Sequence, residues 1–143
     1  MLIYLDTSVL NRPFDDQKQP RIWLETLAFS LVLSLIEAGE AELVFSPIHT
    51  FENSRSPLSV RRLWVARCLR LASHSVTLTD AIRNRAHELV ATGQKALDAL
   101  HLACAESAGA DWFLTCDDRL IKRYVGSLSV QTPPNFISNQ STP

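Results

Sequence analysis

Four carboxylates stand where chemistry could use them. Asp6 ends the apolar run Leu2–Leu5, and Asp117 follows the apolar run Trp112–Thr115. Asp98 lies inside Ala-Leu-Asp98-Ala-Leu, among neighbours that look buried, and Glu52 lies in His49-Thr-Phe-Glu-Asn-Ser-Arg55. Each has an ordinary alternative. Asp6 could close a turn through its own side chain. Asp117 or Asp118 could cap a helix starting near Arg119. Asp98 could complement a helix N-terminus, and Glu52 could be a surface residue. As a set they resist that explanation. No lysine or arginine adjoins Asp6 or Asp98 in the sequence, and carboxylates drawn together repel until one takes a proton or a cation intervenes. Mg2+ and Mn2+ prefer oxygen ligands and keep waters of their own. Such an ion activates water and neutralises charge on phosphoryl and leaving oxygens, so the chemistry to expect is phosphodiester hydrolysis.

The elements that must position these acids alternate along the chain. Leu2–Leu5 reads as strand one and Arg12–Asp16 as a loop. Pro20–Glu37 reads as a helix in which Ile22, Leu24, Leu27, Leu31 and Leu35 recur near helical period, with Gly39 to end it. Leu43–Phe45 is strand two. Ser46-Pro47 then starts a short helix carrying Glu52, and Ser56-Pro57 starts another, running to about Ser73, with Val60, Trp64, Cys68 and Leu71 on one side. Ser75–Leu78 is strand three. Thr79-Asp80 caps a helix ending at Gly93. Lys95–Ala108 is a helix rich enough in Ala and Leu to be buried on both sides. Trp112–Thr115 is strand four, Arg119–Val125 a short helix and Leu128–Thr132 strand five. Ser138–Pro143 reads as a polar tail, which places the domain at 1–137 and the tail at 138–143. Strands alternating with helices imply a parallel α/β sheet covered on both faces. In such sheets ligands bind at the carboxyl ends of the strands, near the switch in strand order. Asp6 and Asp117 fall at strand ends, with Glu52 and Asp98 on the helices beside them.

The segments Tyr4-Leu-Asp6-Thr-Ser-Val-Leu10, Phe51-Glu52, Leu97-Asp98-Ala-Leu-His-Leu-Ala103 and Leu114-Thr-Cys-Asp117 occur in the order of the PIN-domain motifs. On these residues the chain resembles the PIN-domain family of nucleases, which includes VapC-type toxins, through the strand before Pro133. The resemblance implies a single domain with a five-stranded parallel sheet in the order 3-2-1-4-5, flanked by helices, which sets strands one and four side by side. It implies that Asp6, Glu52, Asp98 and Asp117 form an acidic quartet, with Asp6, Asp98 and Asp117 holding Mg2+ or Mn2+. Ser8 and Thr115 match positions where a hydroxyl orients an acid or a metal water, and Asp118 is a reserve ligand. It also implies RNA as substrate, a homodimer and a cognate antitoxin.

The other candidates are weaker. His101 lies one turn beyond Asp98, where packing or a supporting hydrogen bond is expected, while His49, His74 and His87 lack ligand spacing. Arg61, Arg62, Arg67 and Arg70 share one helix and read as a solvated face. Arg12, Lys95, Arg119, Lys122 and Arg123 compete with them for phosphate contacts. Trp23, Trp64 and Trp112 are expected in the core.

The 143 residues suit one domain, with 46% apolar residues for a core and 20% charged. A net charge of −1 excludes a passive basic coat for nucleic acid but not an enzyme with a local basic patch. Leu27–Ile36 is too short to span a bilayer, and the N-terminus reads as a strand rather than a signal peptide. Cys68, Cys104 and Cys116 are odd in number and lack C-x-x-C spacing, which argues against disulfides or a thiolate zinc site and fits a reducing cytoplasm. Two rivals have different consequences. An inactive PIN-fold binding module would keep the fold without the chemistry. A receiver-type phospho-acceptor would need an acid pair after strand one, where this chain has only Asp6.

Overall fold

A computed structural model describes residues 1–140 of the chain. Five short strands form one all-parallel sheet: β1 (Leu2–Leu5), β2 (Glu42–Phe45), β3 (His74–Ser75), β4 (Trp112–Leu114) and β5 (Ser129–Gln131). Their order is β3-β2-β1-β4-β5, the order that the resemblance implies. Tyr4 pairs with Phe113 and Leu5 with Leu114, so β1 and β4 end together and release Asp6 and Asp117 at one edge. The Asp6 amide still donates to Leu114 O at 2.9 Å, which fixes the backbone one residue past the strand.

The alternation of side chains along a strand divides the core into two layers. Ile3, Leu5, Leu43 and Leu114 face one way, against α2 (Pro20–Glu37), α4 (Ser59–Leu69) and α8 (Pro133–Gln140). Tyr4, Val44 and Phe113 face the other way, against α3 (Pro47–Ser54), α5 (Asp80–Ala91) and α6 (Ala96–Ser107). Tyr4 stacks on its ladder neighbour Phe113 with ring centroids 5.3 Å apart. Two short α-helices, α1 (Thr7–Leu10) directly after Asp6 and α7 (Asp118–Arg123) directly after Asp117, and one 3-10 turn at Arg12–Phe14, within the expected loop, complete the described residues.

Several expectations need correction. In α2 the buried residues are Ile22, Glu25, Ala28, Phe29, Val32 and Ile36, while Trp23, Leu24 and Leu31 are 51%, 53% and 52% exposed. The helix is apolar nearly all round, so periodicity could not choose its face, and Trp23 is not a core residue. In α4 the inward face is Val65, Cys68 and Leu69, and Val60 is 69% exposed. Strand three is only His74–Ser75, not Ser75–Leu78. Its partner β2 stops at Phe45, where Ser46-Pro47 turns into α3, so beyond the Val76 amide bonded to Phe45 O there is no ladder to continue. The stretch from Ser138 is not a tail as far as Gln140. Pro133 and Pro134 open α8 in the one helical turn that tolerates proline, and Phe136, fully buried, anchors it edge-on to Trp112 at 5.1 Å. The last three residues of the expected tail, 141–143, lie outside the described residues.

Candidate active site

Asp6 is buried, and its position follows from β1: the strand ends, the chain turns into α1, and the carboxylate remains at the sheet edge. Ser8 Oγ and Thr115 Oγ1 both donate to Asp6 Oδ2, each at 2.7 Å. These hydroxyls are themselves anchored. The Cys116 amide donates to Ser8 Oγ at 3.1 Å and the Asp117 amide to Thr115 Oγ1 at 3.1 Å. Thus the turn after β4 holds the donors that orient Asp6. One carboxylate oxygen carries both protein bonds, and Oδ1 accepts none from the described residues.

Glu52 repeats the pattern from another direction. It sits near the end of α3, where Thr7 Oγ1 donates to its Oε1 at 3.0 Å and His101 Nε2 contacts the same oxygen. Burial alone would raise its pKa, but these two partners outweigh that and hold the carboxylate below its ordinary range. Behind it, His101 Nδ1 lies 2.6 Å from Tyr4 Oη, which lies 2.6 Å from Ser46 Oγ. His49 is also buried, with its ring accepting from the Ser46 amide at 3.1 Å and its Nε2 2.7 Å from Leu5 O. Burial pushes its pKa down to about 3, so His49 is a neutral ring pinning β1 to α3.

Asp98, in the first turn of α6, has no hydrogen-bond donor among the described residues. Its burial, followed by the charges of Asp6 and Asp117 and more weakly Glu52, raises its pKa to about 6. Asp98 therefore lies in the field of the other three acids. Asp117 does double duty. Its Oδ1 caps α7 by accepting from the Arg119 amide at 2.9 Å and the Leu120 amide at 3.3 Å. Asp118 is committed elsewhere, since Arg21 takes both its oxygens at 2.7 Å.

Asp6, Glu52 and His101 bring one donor atom each to within 4.8 Å of one another. The two carboxylates, each with one oxygen that accepts no bond from the described residues, fit a hard divalent cation. A cleft of about 440 Å3 opens beside Asp117, lined by Ser8, Arg12, Lys95, Cys116, Asp117, Asp118 and Arg119. Arg12 is spent on Glu25 and Asp15. Lys95 and Arg119 make no ion pair among the described residues. Of the α4 arginines, Arg61 lies over the Phe14 ring at 5.4 Å, Arg62 bonds Ser56 O, and Arg70 lines a separate apolar hollow.

Thr7, Tyr4 and His49 escaped the sequence reading. Tyr4 and Asp6 share a strand face at i and i+2, and Asp98 and His101 share a helix face at i and i+3. That spacing was the available signal. Among the described residues, no helix is long and apolar enough to cross a membrane. No curated protein matches the chain. A family model, PIN domain, matches residues 3–126, a span that contains all four acids and the switch point between β1 and β4. The chain belongs to the PIN-domain family, and its fold is that of a PIN nuclease.

Proposed function

We propose that this protein is a metal-dependent endoribonuclease, with Asp6, Asp98 and Asp117 holding Mg2+ or Mn2+ and Glu52 completing the cluster. One observation carries the reading. Asp98 is part-buried, has no hydrogen-bond donor among the described residues, and sits in the field of three other acids. A carboxylate in that position is costly without a proton or a cation, and a divalent ion held among the acids relieves that cost. When bound, the ion supplies Lewis acidity towards the phosphoryl group and the leaving oxygen and acidifies water. The chain's own residues do the rest. Ser8 and Thr115 hold Asp6, Thr7 and His101 hold Glu52, and the α7 amides hold Asp117. Lys95 and Arg119 line the cleft wall, and this supports them as the cations that hold the substrate backbone. RNA rather than DNA follows the resemblance to VapC-type nucleases.

The exposed apolar stripe of Trp23, Leu24, Leu27 and Leu31 supports a protein partner, since contiguous apolar surface marks interaction sites. We propose a homodimer and, if one is encoded alongside, an inhibiting antitoxin. Three free thiols fit a cytoplasmic setting. The alternative, an inactive PIN-fold module, would bind metal and RNA or protein without cleavage. The test is cleavage of RNA with Mg2+ or Mn2+ against the same reaction in excess EDTA. Undiminished cleavage in EDTA sinks the mechanism, and metal binding without cleavage of any RNA favours the module.

A further inference from the structure

We infer that Ser46, Tyr4 and His101 form a one-way hydrogen-bond chain that presents an Nε2–H to Glu52, making His101 a positioning residue rather than a metal ligand. The inference rests on the reading of Glu52 as part of the acidic cluster, but not on cleavage. Ser46, Tyr4 and His101 are fully buried, so no water corrects a mismatched donor. Each link is short: Ser46 Oγ to Tyr4 Oη is 2.6 Å and Tyr4 Oη to His101 Nδ1 is 2.6 Å. The other ring nitrogen meets Glu52 Oε1, which also accepts from Thr7 at 3.0 Å.

The protons can be counted along this line. Ser46 and Tyr4 have one hydroxyl proton each, and a neutral imidazole has one. If Ser46 donates to Tyr4 and Tyr4 donates to Nδ1, the imidazole proton must sit on Nε2, where it donates to Glu52. Every donor then has an acceptor. In the reverse order Nδ1–H donates to Tyr4, and a bare Nε2 lone pair faces an ionised carboxylate. With a neutral ring that order needs a cation between them, which would make His101 a ligand in a mixed nitrogen and oxygen site; a second proton on the ring would instead restore the Nε2–H and leave His101 a donor to Glu52. The two directions are therefore two different metal centres. Thr7 decides between them, because its proton goes to Glu52 at 3.0 Å and its oxygen is 3.4 Å from Nε2. In the forward direction Glu52 Oε1 takes two protein donors and Oε2 none, the same division by which Ser8 and Thr115 leave Asp6 Oδ1 free.

The experiment is 15N NMR of the full chain labelled at histidine, at pH 7, before and after Mn2+ or diamagnetic Mg2+, with Mn2+ affinity measured alongside. The expected spectrum has His101 protonated at Nε2 and unprotonated at Nδ1, with or without Mg2+. Outer partners of a metal site typically contribute roughly 10–100-fold in affinity. His101→Leu should therefore weaken Mn2+ binding by about 10-fold or more. His101→Gln, whose amide can still donate to Glu52, should recover most of that loss. A proton on Nδ1 of wild type, or a metal shift at Nε2, overturns the proposal. So does a Gln variant as weak as the Leu variant. Wild type needs no substitution for the decisive spectrum, so a variant that fails to fold does not stall the test. None of these readouts uses RNA, so a protein that passes them and cleaves nothing refutes the nuclease reading alone.

Discussion

Two groups of carboxylates in this molecule are built on opposite principles. Around Glu106, on α6, the chain supplies donors in excess. Arg85 donates to both carboxylate oxygens, at 2.7 and 3.1 Å, and Tyr124 Oη donates at 2.6 Å. Arg85 also reaches Val125 O and Tyr124 accepts from the Leu128 amide, so the knot ties α5, α6 and the approach to β5. Burial would raise the pKa of Glu106, but Arg85 and Tyr124 bring it below its ordinary range. Two turns earlier on the same helix, Asp98 has no donor among the described residues, and its pKa rises to about 6 from burial and from other acids. The first acid is satisfied by the protein. The second is left for something the protein does not contain. A carboxylate kept uncompensated beside three others is a cost that packing does not explain, and such costs mark functional sites.

The largest effect expected from breaking this contrast is on activity. Asp98→Asn should reduce metal-dependent cleavage by more than the roughly 10–100-fold typical of losing an outer partner of a metal site. In metal-free protein it should leave stability unchanged or raise it, because a repelling charge is removed. Glu106→Gln should do the reverse, keeping cleavage while losing about 1–3 kcal/mol as Arg85 and Tyr124 lose a charged acceptor. Gly126 belongs to the same knot, since a Cβ there would run into the Tyr124 hydroxyl and Glu106. Gly126→Ala should also destabilise by about 1–3 kcal/mol with activity intact. Chemical denaturation beside a cleavage assay separates the groups. Large losses of metal-free stability in Asp6→Asn and Asp98→Asn would return both acids to a structural role.

Metal should act on one group alone. A ligand present at 100 times its Kd stabilises the folded state by about 2.7 kcal/mol. Adding Mn2+ should raise the Tm of wild type and of Glu106→Gln equally, and raise that of Asp98→Asn much less. Equal shifts in all three would place the ion elsewhere.

The groups should also respond to pH with opposite sign. Because the folded pKa of Asp98 lies above its ordinary value of 3.8, the folded, metal-free protein binds the extra proton between about pH 4 and 6. Stability from this source falls as pH rises through that window, with a ceiling of about 3 kcal/mol that partial solvation reduces. For Glu106 the folded pKa is lowered, so its contribution is present above the ordinary 4.5 and lost as pH falls through the folded value. In EDTA, the gain from Asp98→Asn should grow from pH 4 to pH 7, and the cost of Glu106→Gln should shrink as pH falls from 7 to 4. A pH-independent Asp98→Asn effect would break the contrast.

What could be read from the sequence follows from how local each feature is. Asp6 and Asp117 were readable because an acid closing an apolar run marks a strand end, and the strand order places those two ends together. Thr79 as a cap and Ser46-Pro47 as a helix start are local as well, and both stand in the structure. The inward face of α2 was not readable, since Glu25 points inward to meet Arg12 while Leu24 and Leu31 point out, against hydropathy. Nor was the support beneath Glu52, whose links Tyr4–His101 and Thr7–Glu52 join residues 97 and 45 positions apart. The opening of α8 was in the sequence as Pro133-Pro134, but a polar stretch after Phe136 hid it.

The smallest effect expected is at Cys116, and its smallness is informative. The thiol lies between the two kinds of site, one residue before Asp117 and beside the Arg12–Glu25 pair. If it were a nucleophile or a metal thiolate, its proton would have to leave easily. Burial, together with the nearby Glu25 and despite Arg12, instead pushes its pKa well above the ordinary thiol value. Its backbone, however, is in use, because the Cys116 amide donates to Ser8 Oγ and so supports Asp6. A substitution that keeps the backbone in place should therefore keep the function. Cys116→Ser should retain metal-dependent cleavage within about 2-fold, the change expected when no bond to the reacting groups is altered. A small loss of stability is expected from placing a hydroxyl where the thiol was buried, about 1 kcal/mol. Thiol-blocking reagents should leave folded wild type active, since Cys68 and Cys104 are buried and the part-buried Cys116 thiol holds its proton. The measurement is the cleavage rate of Cys116→Ser at fixed Mn2+, with thermal melts to confirm the fold. A folded variant with its rate lost and its Mn2+ affinity lowered would place the thiol among the metal's partners and redraw the acidic cluster around it.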